Sequence, residues 1–315
     1  MSTKSDLLQS FGTRPVITAP VFGHRDILHM IQTSGIFKDS KTFIDMKLKK
    51  EPAEVETKFL ELFGDEIILE SETDKLKEFI QDNFDTTENA EFEDWDPTDF
   101  KDDFTVPGIN EPLQTLVREI HKLWKVLSMK TATEIRENPR LSTSIALPNG
   151  FIIPGGRFKE TYYWDTYWII RGILKSNMID TAKGIIENFL HLIEEYGFIP
   201  NGTRTYYLGR SQPPFLLSMM QKYVEKSQDL EFAARNILLL EKEVQFFEDQ
   251  RSLKVTINDL QHTVFRYGAN SLGPRPEAYE EDFHIAESFR SNEEREEFYL
   301  HIKSAAESGW DFSSR

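Results

Sequence analysis

The sequence predicts a mainly α-helical protein, and three observations carry that reading. Apolar residues recur at three- and four-residue steps in segment after segment, helix-starting and helix-stopping residues stand where those segments begin and end, and alternating strand-like text is confined to short pieces.

In chain order, Thr42 to Ile80 reads as two amphipathic helices without recognisable chemistry. From Asp85 to Asp103, nine acidic residues stand against one lysine, which predicts a solvated loop. Its piece Asp94-Trp-Asp-Pro-Thr-Asp99 lacks the glycine and the terminal glutamate of a calcium loop, so no metal is assigned. Leu113, Leu116, Val117, Ile120, Leu123, Trp124 and Leu127 then fall on one helical face, with Pro112 suited to the first turn. Similar spacing marks Trp164 to Leu174, Leu230 to Phe247 and Glu293 to Ala306. Another helix starts at Asp180, as N-cap, and stops at Gly197, which takes the left-handed conformation readily. Lys254 to Ile257 and His262 to Tyr267 alternate like strands, and no internal repeat is apparent.

Composition narrows the function. A chain of 315 residues with a net charge of −16 is repelled by nucleic acid and by anionic membrane surfaces, so a neutral small molecule or a protein is the expected partner. The absence of cysteine removes thiolate nucleophiles, disulfides and cysteine metal sites, and no cofactor is expected. Met1 to Pro20 holds no apolar run of signal-peptide length and nowhere do 18 apolar residues follow one another, so no membrane segment is expected and the chain reads as cytoplasmic. With 24 Phe, 10 Tyr and 5 Trp there are many flat faces for sugar rings, although most such side chains serve as core.

The chemistry is densest in Pro154-Gly-Gly-Arg-Phe-Lys-Glu-Thr-Tyr-Tyr-Trp-Asp-Thr-Tyr167. Two glycines allow a tight turn and a close approach to a ligand, Arg157 supplies a fork of donors, and Trp164 beside Asp165 joins an apolar platform to a hydroxyl acceptor. That set suits a polyol, and it equally suits a loop leading into a helix with an Arg–Glu pair. A phosphate cradle fits less well, because no Lys-Ser/Thr follows the glycines. Three further stretches carry polar residues on turns. They are Gly197-Phe-Ile-Pro-Asn-Gly-Thr-Arg-Thr-Tyr-Tyr207 with Gly209-Arg-Ser-Gln-Pro-Pro214, then Pro274-Arg-Pro-Glu-Ala-Tyr279, and Glu307-Ser-Gly-Trp-Asp-Phe-Ser-Ser-Arg315. Read alone, Asn201-Gly202 is a turn, and Arg275 and Glu277 flanking Pro276 form a local surface ion pair.

Ten fixed positions of the 154–167 stretch, with the three later stretches in order, resemble the α,α-trehalases of glycoside hydrolase family 37, over roughly Asp39 to Arg315. The resemblance implies an (α/α)6 toroid of the six-hairpin glycosidase type over 39–315, with 1–38 as an N-terminal extension. It also implies hydrolysis of trehalose to two glucoses with inversion. Arg157, Trp164, Asp165, Asn201, Arg210, Ser211, Gln212, Arg275, Pro276, Glu277 and Gly309 are then substrate-binding, and Asp311 is the general acid. Asp311 follows a helix stop at Gly309, and Trp310 beside it is able to exclude water, which favours the protonated carboxyl an acid needs.

Inverting glycosidases need a second carboxylate, with the two carboxyls about 6.5–9.5 Å apart. In the family it lies with a Gln-Trp-Asp signature downstream of Gly-Trp-Asp, whereas no Gln-Trp-Asp occurs here and four residues follow Asp311. The expectation is therefore a C-terminally truncated member, inactive as written, with a non-catalytic trehalose-binding or regulatory relative as the alternative. Removing helices from a closed ring also predicts exposed apolar faces.

Overall fold

The computed structural model describes residues 20–64, 73–269 and 271–310. It is mainly helical, as expected, with three small antiparallel sheets. Ring closure is not seen among the described residues.

The N-terminal third begins with short helices at Pro20–Gly23 (α1), Arg25–Thr33 (α2) and Ser40–Ile44 (α3). The two amphipathic helices follow at Pro52–Phe63 (α4) and Thr73–Asn83 (α5). Val55, Phe59 and Phe63 of α4 stand at four-residue steps, and the rings of Phe59 and Phe63 meet Phe79 of α5 edge-on, in one cluster with Val55, Phe22, Phe43 and Phe84. Each ring buried this way contributes about 1.5–3 kcal/mol. The pair of short strands Lys47–Leu48 (β1) and Phe84–Asp85 (β2) closes that layer, with Leu48 opposite Phe84.

The helix at Glu111–Val126 (α6) starts from Asn110, whose side chain accepts from the Leu113 amide, with Pro112 in its first turn. Its apolar stripe faces outward: Leu113, Leu116, Ile120, Leu123 and Val126 are all about half exposed or more, Val126 reaching 69%. The inward face is polar and aromatic instead. His121 is stacked between Phe100 and Phe104, donates from Nε2 to the Lys101 carbonyl at 2.8 Å, and accepts from the Ser176 hydroxyl, which accepts in turn from the Trp124 indole. Gln114 accepts from the Val106 amide at 3.0 Å.

The acidic segment before α6 is not wholly solvated. It holds the strand Phe92–Asp94 (β3), which pairs with Ser128–Thr131 (β4), itself paired with Phe151–Ile152 (β5), and Glu91 is buried. The expectation of a solvated loop fails there because Arg204 supplies the charge that lets Glu91 go inside.

The helix at Thr133–Glu137 (α7) leads to the main body: Tyr163–Lys175 (α8), Ile179–Tyr196 (α9), Leu216–Ser227 (α10), Leu230–Arg235 (α11) and Ile237–Arg251 (α12). Helix α9 packs against α8, α10 and α12, burying Ile185, Ile186, Phe189, Leu192 and Ile193. It stops at Gly197 with φ 83°, as expected, but its start differs. Asp180 lies inside the first turn, and the cap comes from Asp99, whose carboxylate accepts from the amides of Asp180 and Thr181 at 2.8 and 3.0 Å. The predicted Leu230–Phe247 helix is broken at Asn236 into α11 and α12. A hairpin, Ser252–Ile257 (β6) and Leu260–Phe265 (β7), turns through Asn258 and Asp259, both at positive φ, as a two-residue hairpin turn requires. Tyr279–Ala286 (α13) and Asn292–Glu307 (α14), the latter with a Ser291–Glu294 capping box, complete the described chain.

Candidate functional site

The sequence-singled residues lie at helix ends and in the loops between helices, which is where a bundle leaves backbone and polar groups accessible. Gly155 and Gly156 both take positive φ, 101° and 62°, so the chain turns back on itself and presents Arg157. Arg157 makes a two-pronged pair with Asp39 at 2.7 and 2.5 Å and also donates to the Glu277 carbonyl at 3.2 Å. Glu160, the partner that a local Arg–Glu pair would require, points elsewhere.

Arg275 and Glu277 each form an ion pair with another residue. Pro276 opens a short 3₁₀ turn, Pro276–Ala278, that separates them. Arg275 forms a bidentate pair with Asp282 of α13 at 2.8 and 2.7 Å. The Glu277 carboxylate accepts from Arg210 instead, and both are buried. Burial alone would raise the Glu277 carboxyl, but Arg210 and Arg275 outweigh it and hold it below the usual range. The surface-pair reading is therefore corrected: these charges are inside and tie the 274–279 turn to the 201–214 loop. Glu277 Oε2 and Arg210 Nε, both buried, have no hydrogen-bond partner among the described residues.

The 201–214 loop is connected on its other side as well. Asn201 donates from its side chain to the carbonyls of Ser211 at 3.3 Å and Ala306 at 3.5 Å. The Gln212 side-chain carbonyl accepts from the Trp164 amide at 3.0 Å, fixing the start of α8. Gly309, at φ 70°, sits against the Trp164 indole, where an added Cβ would approach to 3.1 Å. Arg157, Trp164, Asn201, Arg210, Ser211, Gln212, Glu277 and Gly309 are thus linked, directly or through adjacent chain positions, into one connected wall, with Arg275 and Pro276 next to Glu277 on the 274–279 turn. Asp165 stands half-buried in the first turn of α8. Asp311 lies outside the described residues. Trp310 is 67% exposed, so the water-excluding indole beside this region is that of Trp164.

Behind the wall lies a buried charge cluster that the sequence reading missed. Arg204, 1% exposed, contacts the carboxylates of Glu91, Glu160 and Asp45 at 2.5, 3.4 and 3.5 Å. Lys41 pairs with Glu160 at 2.7 Å and Asp45 at 2.5 Å. Burial pushes the Glu91 carboxyl up to about 7 against the pull of Arg204. Glu160 is also raised by burial, but Lys41 and Arg204 outweigh that and hold it low. Little in the sequence near Lys41 and Asp45 announces this cluster, because apart from the Lys41–Asp45 pair itself its partners lie far along the chain. Glu243 was missed too; it accepts from the Tyr163 hydroxyl, and burial lifts its carboxyl to about 7. It lines a cleft of 370 Å³ with Pro214, Leu217 and Phe265.

Among the described residues, no cluster of three His, Cys, Asp or Glu side chains could hold a metal ion, and no helix is long and apolar enough to cross a membrane. A family model described as trehalase matches residues 35–315. The chain belongs to the trehalase family. A trehalase from Apis mellifera is 43% identical over 297 residues, covering 94% of this chain and 47% of that relative. A trehalase from Homo sapiens is 37% identical over 303 residues, covering 96% of this chain and 52% of that one. Among solved structures, a neutral trehalase from Saccharomyces cerevisiae aligns with TM-score 0.43 and 28% identity over 53% of this chain and 34% of that one. The chain therefore spans about half the length of the curated trehalases it matches.

Proposed function

We propose that the connected wall is the sugar-binding half of an inverting trehalose-hydrolysing site and that Asp311, just beyond α14, is its general acid. The observation that supports this reading is the linkage of Arg157, Glu277 and Arg210 on one side with Asn201, Ser211, Gln212 and Trp164 on the other into a single connected network. That network holds guanidinium donors, carboxylate and amide acceptors and one indole, the kinds of group that bind a ring of hydroxyls. No metal or organic cofactor has a role in the scheme.

In this mechanism, Asp311 gives its proton to the departing glycosidic oxygen as the anomeric C–O bond breaks. A water bonds to the anomeric carbon from the opposite face and passes its proton to a second carboxylate, about 6.5–9.5 Å from the first. Family resemblance puts that base on a segment C-terminal to Gly-Trp-Asp. The second reading of the same residues is trehalose binding without turnover.

Coupled glucose release and calorimetry with trehalose on the purified protein separate the readings. Saturable binding accompanied by release supports the hydrolase, and binding alone supports the second reading. Absence of both, at concentrations that saturate a complete trehalase, sinks the sugar site.

A further inference from the structure

Glu307, the last residue of α14, is fully buried, and its carboxylate is an acceptor for three separate parts of the chain. Arg251, at the end of α12, donates to it in a fork at 2.9 and 2.7 Å. The backbone amide of Ser211 donates to Oε1 at 2.6 Å, and the backbone amide of Gly268 donates to Oε2. Ser211 stands between Arg210 and Gln212, whose side chains hold Glu277 and the Trp164 amide. Gly268 follows the β6–β7 hairpin, whose base is closed by the Arg266 amide donating to the Arg251 carbonyl at 2.8 Å. Two residues beyond Glu307 comes Gly309, in contact range of Trp164.

We propose that Glu307 is a positioning residue: through the Ser211 and Gly268 amides, its carboxylate sets the Arg210–Gln212 backbone and the hairpin base against the end of α14. This rests on the reading of the wall as a trehalose site, since the loop so fixed is the one that would face the sugar. A buried carboxylate needs its lone pairs filled, and here two are filled by main-chain amides of two separate segments, the 201–214 loop and the residues after the hairpin, rather than by side chains alone. A loop held by backbone amides keeps its register even when its own side chains turn toward a ligand. Burial of an ion pair with Arg251 is weak evidence of stabilisation, so the tie to the loop, and not the ion pair, is the functional content.

The test compares Glu307→Gln, Arg251→Lys and the double variant Arg251→Gln/Glu307→Gln. The carboxamide has a single acceptor oxygen and cannot serve both amides, the lysine keeps the charge but loses the fork, and the double variant leaves no unpaired buried charge. Hydrogen exchange is followed in peptides spanning Ser211 and Gly268, with Leu127, which donates to the Leu123 carbonyl at the end of α6, as the internal reference. Trehalose affinity is measured by calorimetry on the same samples. The expected result is exchange at least tenfold faster at Ser211 and trehalose binding at least tenfold weaker in both variants lacking the carboxylate. Arg251→Lys is expected to stay within about threefold of the parent on both readouts. Parent-like exchange and affinity in the double variant would overturn the proposal, and so would Arg251→Lys matching Glu307→Gln. If the parent protein itself binds no trehalose, the sugar-site reading fails, while the exchange arm still decides whether Glu307 holds the loop.

Discussion

Lys303 of α14 is 2% exposed, and its ammonium group donates to the carbonyls of Ser271 and Leu272 at 3.0 Å each. Burial pushes its pKa down from 10.5 to about 7, and Arg210 pushes the same way, against the opposing pull of Glu277, Glu296 and Asp282. A base depressed in the folded state contributes fully only above the unfolded value of 10.5, and that contribution is lost as pH falls toward about 7. The full interval is worth roughly 5 kcal/mol, at about 1.4 kcal/mol per pH unit. Lys303→Met removes that cost together with two hydrogen bonds of about 1 kcal/mol each. The variant should therefore be more stable than the parent by about 3 kcal/mol at pH 6, about equal at pH 9, and less stable by about 2 kcal/mol above pH 10.5. Urea denaturation of both proteins at pH 6 and pH 9 reads this directly. A stability difference that is the same at the two pH values would refute the reasoning, because only a titrating cost changes between them.

Arg204→Met strips the cation from three buried carboxylates and leaves Lys41 alone with them, so a loss of about 3–5 kcal/mol is expected by urea denaturation at pH 7; a loss below about 1 kcal/mol would mean the cluster is not desolvated as a unit. Glu243, raised to about 7 by burial, costs the fold stability progressively as pH rises from its ordinary 4.5 through 7. Glu243→Gln should accordingly raise the melting temperature at pH 8 and leave it nearly unchanged at pH 4, which differential scanning calorimetry can check. The exposed stripe on α6 favours self-association in concentrated solution, and light scattering should show association falling in the Leu116→Lys/Leu123→Lys variant, while far-UV circular dichroism stays that of the parent.

What the sequence disclosed and what it withheld divide along the range of the interactions. Spacing located α8, α9, α14 and the strands β6 and β7, because a helix or a strand is written in residues a few positions apart. On α6 the same spacing gave the stripe but not which side would be covered, since His121 and Gln114 are drawn inward by residues of the preceding loop. Charge pairing was the least legible: Arg275 and Glu277, two positions apart, go to Asp282 and Arg210, while Arg157 reaches Asp39 across the chain. The 154–167 stretch shows why residue type alone cannot assign a role. Arg157 and Trp164 stand in the wall, whereas Glu160 and Tyr162 lie behind it, bonded to Lys41, Arg204 and Tyr207. A ligand-gripping residue and a residue that braces it both need a polar group in apolar surroundings, so both leave the same mark in a sequence. Only the partner distinguishes them, and for Glu160 that partner, Lys41, enters from a helix in which no residue spacing points to chemistry.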